Sequence, residues 1–235
     1  MMIGSKVDYD ISNLYIPKDG KGDNDYQKSF SATLTIIIKD KKGNVIKRYK
    51  QKSHSPTANF IGLMIPLIWY NTTGNSFTLT NTSNSTFGYT KSLSGTSYQI
   101  VYPNNFTNYP DYIENILIGS GSNSNPYSAY NLNAPISNGS GVGQLLYSSI
   151  SMPTSITING SQAYFIISQS YANQSGATIT ISEVGIILNL QLYQPNGNGG
   201  GSGNSILVWY DVLSSPISVG NGQSVVIYYT FSVNA

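Results

Sequence analysis

The ten residues Ser224-Val-Val-Ile-Tyr-Tyr-Thr-Phe-Ser-Val233 set the architecture. Val225, Ile227, Tyr229, Phe231 and Val233 fall on one side of an extended chain, and Val226, Tyr228, Thr230 and Ser232 on the other. A strict period of two, built from β-branched and aromatic residues, marks a strand with one buried face. The same reading works outward along the chain. Leu34, Ile36 and Ile38 alternate with Thr33, Thr35 and Ile37, and Asp40-Lys-Lys-Gly-Asn44 then turns the chain into residues 45–52 as a hairpin. Further strands are expected at 76–80, 97–102, 112–118, 144–150, 155–158, 163–170, 178–188 and 206–213, with Val212–Ile217 ending a strand at a Pro-fixed turn. Many short strands parted by Gly, Asn and Pro turns make an all-β protein, an antiparallel β-sandwich with the jelly roll as the expected subtype.

One short helix is expected near residues 57–70, because Ala58, Ile61, Ile65 and Ile68 recur at helical spacing, with Pro66 kinking or ending it. The apolar run 60–70 is 11 residues long, too short to span a bilayer. Residues 1–30 read as an irregular N-terminal arm and residues 31–235 as a single β-sandwich domain. The Gly-rich run 195–205 lies between two strands and reads as a loop, not a linker. Residues 1–10 hold no apolar run of the kind a secretory signal needs.

Composition narrows the function classes. Of the 235 residues only 9% are charged while 40% are hydrophobic, too many for intrinsic disorder and too few charges for long surface helices. Ser, Thr and Asn make up about a third of the chain, and there are 19 Tyr. Without Cys there is neither a disulfide framework nor a thiolate metal site, and the single histidine, His54, has no acidic neighbour to orient it. The balance points to a surface-rich structural or binding protein. Few carboxylates also means few groups that titrate differently on folding, so stability should vary little in acid. Hyperthermophile proteins usually gain Lys and Glu and shed Asn. In a hot source this Asn-rich chain would draw its stability from assembly, not ion pairs.

Charge is placed unevenly. Eleven of the twelve basic residues lie between Lys6 and Lys52 beside six Asp, a balance of +5; the remainder holds Lys91 against Asp111, Glu114, Glu183 and Asp211, a balance of −3. Two readings stay open. Lys39, Lys41, Lys42, Lys47, Arg48, Lys50 and Lys52 form a contact face for nucleic acid, anionic lipid or an acidic subunit. Alternatively, they keep a solvated hairpin soluble and blunt its edge.

Candidate chemistry is sparse. Gly119-Ser-Gly121 and Gly139-Ser-Gly-Val-Gly143 lack the Lys-Ser/Thr and the helix of a phosphate-binding loop. The run from Asp19 to Asp25 lacks EF-hand spacing and reads as a loop. A glycosidase needs two facing carboxylates; Glu183 interrupts an apolar strand (Ile179, Ile181, then Val184, Ile186) and reads as a structural hydrogen-bonding group. Gly185 beside it suggests a bulge or close backbone approach. No catalytic residue, cofactor or metal is expected. Seven Asn-x-Ser/Thr sequons occur, of which Asn71, Asn81 and Asn84 cluster in an expected surface loop as candidate glycosylation sites.

Segment order carries a resemblance. Asp40-Lys-Lys-Gly-Asn44 leads to Ser53-His-Ser-Pro-Thr-Ala-Asn-Phe60. Asn115-Ile-Leu-Ile-Gly-Ser-Gly121, Asn125-Pro-Tyr-Ser-Ala-Tyr-Asn-Leu132 and Ala134-Pro-Ile136 follow. Thr180-Ile-Ser-Glu-Val-Gly-Ile186 then precedes Val212-Leu-Ser-Ser-Pro-Ile217 and the terminal strand. This order resembles virion structural proteins of viruses infecting hyperthermophilic archaea, and is similar to tail-associated proteins of some tailed phages. The resemblance implies a jelly-roll-like capsid, turret or tail component that works in the virion as a symmetric homo-oligomer beside other virion proteins, and it brings no catalytic residues. The alternative is a host-facing adhesin or carbohydrate-binding module, with residues 71–110 and exposed aromatic rings stacking on host surface glycans.

Overall fold

The computed structural model describes residues 29–53, 55–68, 77–89, 112–191 and 203–234. The terminal alternating segment forms β11 (Ser224–Asn234) and lies inside a large antiparallel sheet. It pairs on one side with β1 (Ser29–Lys39) and on the other with β8 (Gln162–Ala172). Beyond β1 lies β2 (Val45–Ser53), and beyond β8 lie the short strands β6 (Leu146–Tyr147) and β7 (Thr157–Asn159). A smaller sheet runs β10-β9-β5, from Gly203–Val219, Ile179–Gln191 and Tyr112–Gly119. β3 (Phe77–Thr80) and β4 (Thr86–Tyr89) make a separate ribbon.

The two antiparallel sheets pack against each other as an all-β sandwich. Leu34, Ile36, Ile167, Ile227 and Tyr229 of the large sheet meet Ile116, Ile118, Ile181, Val184 and Ile206 of the small one in one core. A jelly roll has eight strands in two Greek keys. The described strands instead divide six to three, so the architecture stands at the level of a two-sheet sandwich.

Four details depart from the expected elements. β4 had no expectation, and the strand expected at 144–150 contracts to two residues, because Gln144 folds back to accept the Gly141 N–H. β10 does not stop at Pro216. It pairs Val212 with Glu183 and then Ile217 with Ile181, so four residues bulge opposite Ser182 and the strand resumes. Pro216 sits in that bulge, where no ladder N–H is required of it.

The helix α1 (Ala58–Ile68) runs two residues past Pro66, although Pro66 offers the Gly62 carbonyl no N–H. Its expected apolar stripe is also turned: Ala58 and Ile61 are exposed, while Asn59 is buried and Phe60 and Leu63 pack on the core. Hydrogen bonds fix that rotation. Asn59 Nδ2 donates to the Thr80 and Leu207 carbonyls (2.8 and 3.2 Å), and Asn59 Oδ1 accepts the Thr80 N–H (2.9 Å). Phe60 then meets Trp209 edge-to-face at 5.5 Å, and Trp209 meets Phe231 at 5.2 Å, sealing one end of the sandwich.

Candidate functional site

A β-sandwich leaves raw backbone along the outer strands of each sheet, and here two Tyr/Gln pairs cover it. On β2, Tyr49 and Gln51 point inward one step apart. The Ser214 N–H in the β10 bulge donates to Tyr49 Oη (2.9 Å) and Gln51 Oε1 (3.2 Å), and Gln51 Nε2 donates to the Val212 carbonyl (3.2 Å). On β8, Gln169 and Tyr171 do the same for β5: the Ile116 N–H donates to Gln169 Oε1 (2.7 Å), and Tyr171 Oη donates to the Ile116 carbonyl (2.5 Å). Each large-sheet pair therefore clamps one edge strand of the small sheet. Sequence pattern marks the β8 pair, where Gln169 and Tyr171 continue the apolar face of Ala163, Phe165 and Ile167, but not the β2 pair, whose face also carries Lys47 and Ser53.

Two carboxylates are buried, Glu183 and Asp211, and each accepts hydrogen bonds from within the fold. Glu183 is fully buried on the outer side of the small sheet and takes four donors. Its Oε1 accepts the Ala134 (2.7 Å) and Gly121 (3.2 Å) N–H groups; its Oε2 accepts Asn133 N–H (3.0 Å) and the Tyr210 hydroxyl (2.6 Å). Gly119-Ser-Gly121 thus turns its backbone onto the chain's own carboxylate. A Cβ at Gly119 would stand 2.7 Å from the Ala134 carbonyl, so the segment lies too close for any side chain there. Gly185 makes the expected close approach, with a Cβ there 2.6 Å from Leu207 Cδ1 and 3.0 Å from Leu132 Cδ2.

Asp211 lies between the sheets, where Ser53 Oγ (2.5 Å) and the Tyr229 hydroxyl (2.8 Å) donate to its Oδ2. Glu183 and Asp211 sit on opposite faces of the small sheet and do not confront each other. Glu114 is half-buried and accepts the Ser205 hydroxyl at 2.6 Å. A groove of about 480 Å³ lined by Asn115, Leu117, Ile136, Asn138, Tyr147 and Ser148 has no carboxylate in its wall. Among the described residues no group of three His, Cys, Asp or Glu could hold a metal, and no helix is long and apolar enough to cross a membrane.

Among the described residues, all the basic side chains map to the β1–β2 hairpin. Asp40 holds its turn by accepting the Lys42 and Asn44 N–H groups (2.8 and 2.9 Å) and Asn44 Nδ2 (3.0 Å), and the Asn44 bonds lead in holding its carboxyl below the usual range. Gly43 adopts φ 86°, which the turn requires. Lys41 lays its stem across the β10–β11 turn, and a Cβ on Gly222 would lie 3.0 Å from Lys41 Cδ.

Along β2, Arg48, Lys50 and Lys52 are exposed on the outer face, opposite Ile37, Thr35 and Thr33 of β1. Lys39 is half-buried on that same face, whereas Lys47 has the inward phase and is exposed at the sheet end. Among the described strands β2 is the edge of the large sheet.

The candidate sequons divide. Asn71 lies outside the described residues, as do His54 and the run from Asp19 to Asp25. Asn81 is half-buried; its Oδ1 accepts the Ser83 and Ser85 N–H groups and its Nδ2 donates to Asn204 Oδ1 (3.2 Å). Asn84 is exposed at φ 61° in the same turn. Asn173, in another sequon, is fully buried and joins the β8–β9 and β10–β11 turns through the Ala177 and Val219 carbonyls.

Comparison with protein-family models, curated proteins and solved structures gives no match to this chain.

Proposed function

We propose that this chain is a virion structural protein, a capsid, turret or tail component of the kind the segment order resembles, and that it acts by self-assembly into a symmetric oligomer, with a jelly-roll-like arrangement as the finer form of its fold. One observation carries the reading: among the described residues, the sandwich satisfies its buried side-chain polar atoms internally, while the basic side chains are gathered on one edge hairpin. No buried side-chain nitrogen or oxygen among the described residues lacks a partner. Neutral donors hold Glu183, and the Ser53 and Tyr229 hydroxyls donate to Asp211, so the described body is a nearly uncharged block suited to packing beside neighbours in a particle. The edge strand β2 and its lysines then form the contact with a neighbour or with the particle interior.

Size-exclusion chromatography with light scattering tests this on the wild type and on the double variant Lys47→Glu/Arg48→Glu. The expected result is a discrete oligomer for the wild type, and a loss of that oligomer in the variant with an unchanged circular-dichroism spectrum. A wild type that stays monomeric and instead binds saturably to a glycan array overturns the reading in favour of an adhesin.

A further inference from the structure

We infer that the outer face of the large sheet, bordered by Arg48, Lys50 and Lys52, binds the phosphodiester backbone of a nucleic acid without regard to sequence. The inference rests on the basic-hairpin part of the proposed function and names its partner. Side chains on one face of a strand recur about every 7 Å, so the three cations form a straight row about 14 Å long. Inward from the row the registers read Lys50–Thr35–Tyr228–Ser168 and Lys52–Thr33–Thr230–Ile166. Hydroxyls therefore flank Lys50 and Lys52, with the half-buried Tyr228 one strand further in, whereas Ile37 and Val226 lie inward from Arg48. Ser, Thr and Tyr hydroxyls beside Lys and Arg are the groups that hold phosphate oxygens.

The described residues of a second copy offer this row little counter-charge. Among the described residues Glu183 and Asp211 are buried, and Asp40 and Glu114 already accept hydrogen bonds from their own chain. Residues 1–28 carry five Asp against four Lys, a balance of −1, against seven cations and one Asp, a balance of +6, over residues 39–52. Pairing two β2 edges antiparallel would also set cations against cations. A lipid surface spreads its charge over a plane and rewards an apolar rim that can insert. This row is linear, and although the exposed Ile46 continues it beside Arg48, hydroxyls border Lys50 and Lys52, so a linear polyanion fits it.

Fluorescence anisotropy with the full chain tests the inference, using a labelled duplex DNA of about 20 base pairs, the same strand unpaired, and vesicles of mixed anionic and neutral lipid as competitor. Three phosphate contacts predict a salt slope of about −2.7 on duplex, so that affinity falls about 40-fold between 50 and 200 mM salt. The variant Arg48→Gln/Lys50→Gln/Lys52→Gln, at exposed positions, should melt like the wild type yet lose that slope. Lys41→Gln/Lys42→Gln, off the row, should retain most of it. Absence of DNA binding at low salt, equal binding by the triple variant, or displacement of DNA by vesicles at matched charge each overturns the inference. None of these depends on whether the chain forms an oligomer without nucleic acid, so the two proposals fail separately.

Discussion

Glu183 shows how a single side chain can be read correctly in kind and missed in its partners. The apolar phase slips between Ile181 and Val184, and that slip is visible in the sequence as a strand that changes register around a carboxylate. Its donors are not visible. Three come from backbone N–H groups of residues 121–134, about fifty positions back, and one from Tyr210 across the sheet. A carboxylate with four donors is a fastening point for the covering segment. Glu183→Gln places an amide –NH₂ against donors. Hydrogen bonds to charged groups are worth about 1.5–3 kcal/mol and an orphaned donor costs about 1–3. The substitution should therefore destabilise the fold by about 3 kcal/mol, lowering the thermal midpoint by roughly 6–12 °C. Hydrogen exchange should speed first at the Gly121, Asn133 and Ala134 amides. Unchanged stability and exchange would show that the carboxylate does not hold that segment.

At the scale of elements, period-two runs made most strands legible, because one buried face writes its alternation directly into the sequence. What escaped were contacts closed over long separations. The helix was recognised by spacing, but its rotation is fixed by Asn59 reaching Thr80 and Leu207, so Ala58 and Ile61 point outward and not to the core. Pro216 reads locally as a stop, yet the bulge absorbs it, and Tyr49 and Gln51 of β2 satisfy the Ser214 N–H left over.

The two Tyr/Gln clamps also make a graded prediction. Tyr171 is buried and its hydroxyl meets the Ile116 carbonyl, whereas the Tyr49 bonds lie near solvent. Tyr171→Phe leaves a buried carbonyl short of a donor and should cost about 1–3 kcal/mol. Tyr49→Phe lets water replace the hydroxyl and should cost under about 1 kcal/mol. Urea denaturation of both variants checks the order, and an equal or reversed order contradicts the clamp at β5.

Over the whole molecule, the scarcity of charge was legible from composition, and with it the expectation of a flat stability profile in acid. The alkaline limit follows instead from where the tyrosines sit. Burial raises the hydroxyl pKa of Tyr147 to about 12 and holds Tyr171, Tyr229 and Tyr210 above the ordinary value, the last two helped by Asp211 and Glu183 respectively. A tyrosine whose folded pKa exceeds its unfolded value near 10 contributes stability that is fully present below pH 10 and is lost as pH rises past it. For Tyr147 that loss amounts to on the order of 2 kcal/mol by pH 12. The thermal midpoint should hold steady up to about pH 10 and then fall steeply, with unfolding and tyrosinate absorbance at 295 nm rising together. Tyrosinate absorbance that develops fully near pH 10, before any unfolding, would place these hydroxyls in water.

Negative-stain electron microscopy of the purified wild-type chain tests self-assembly most directly. Closed rings, shells or regular tubes of uniform diameter are the result that a closed neutral sandwich built to pack against its own copies predicts. Fields of single particles the size of one 25.4 kDa chain, unchanged on concentration, would contradict it.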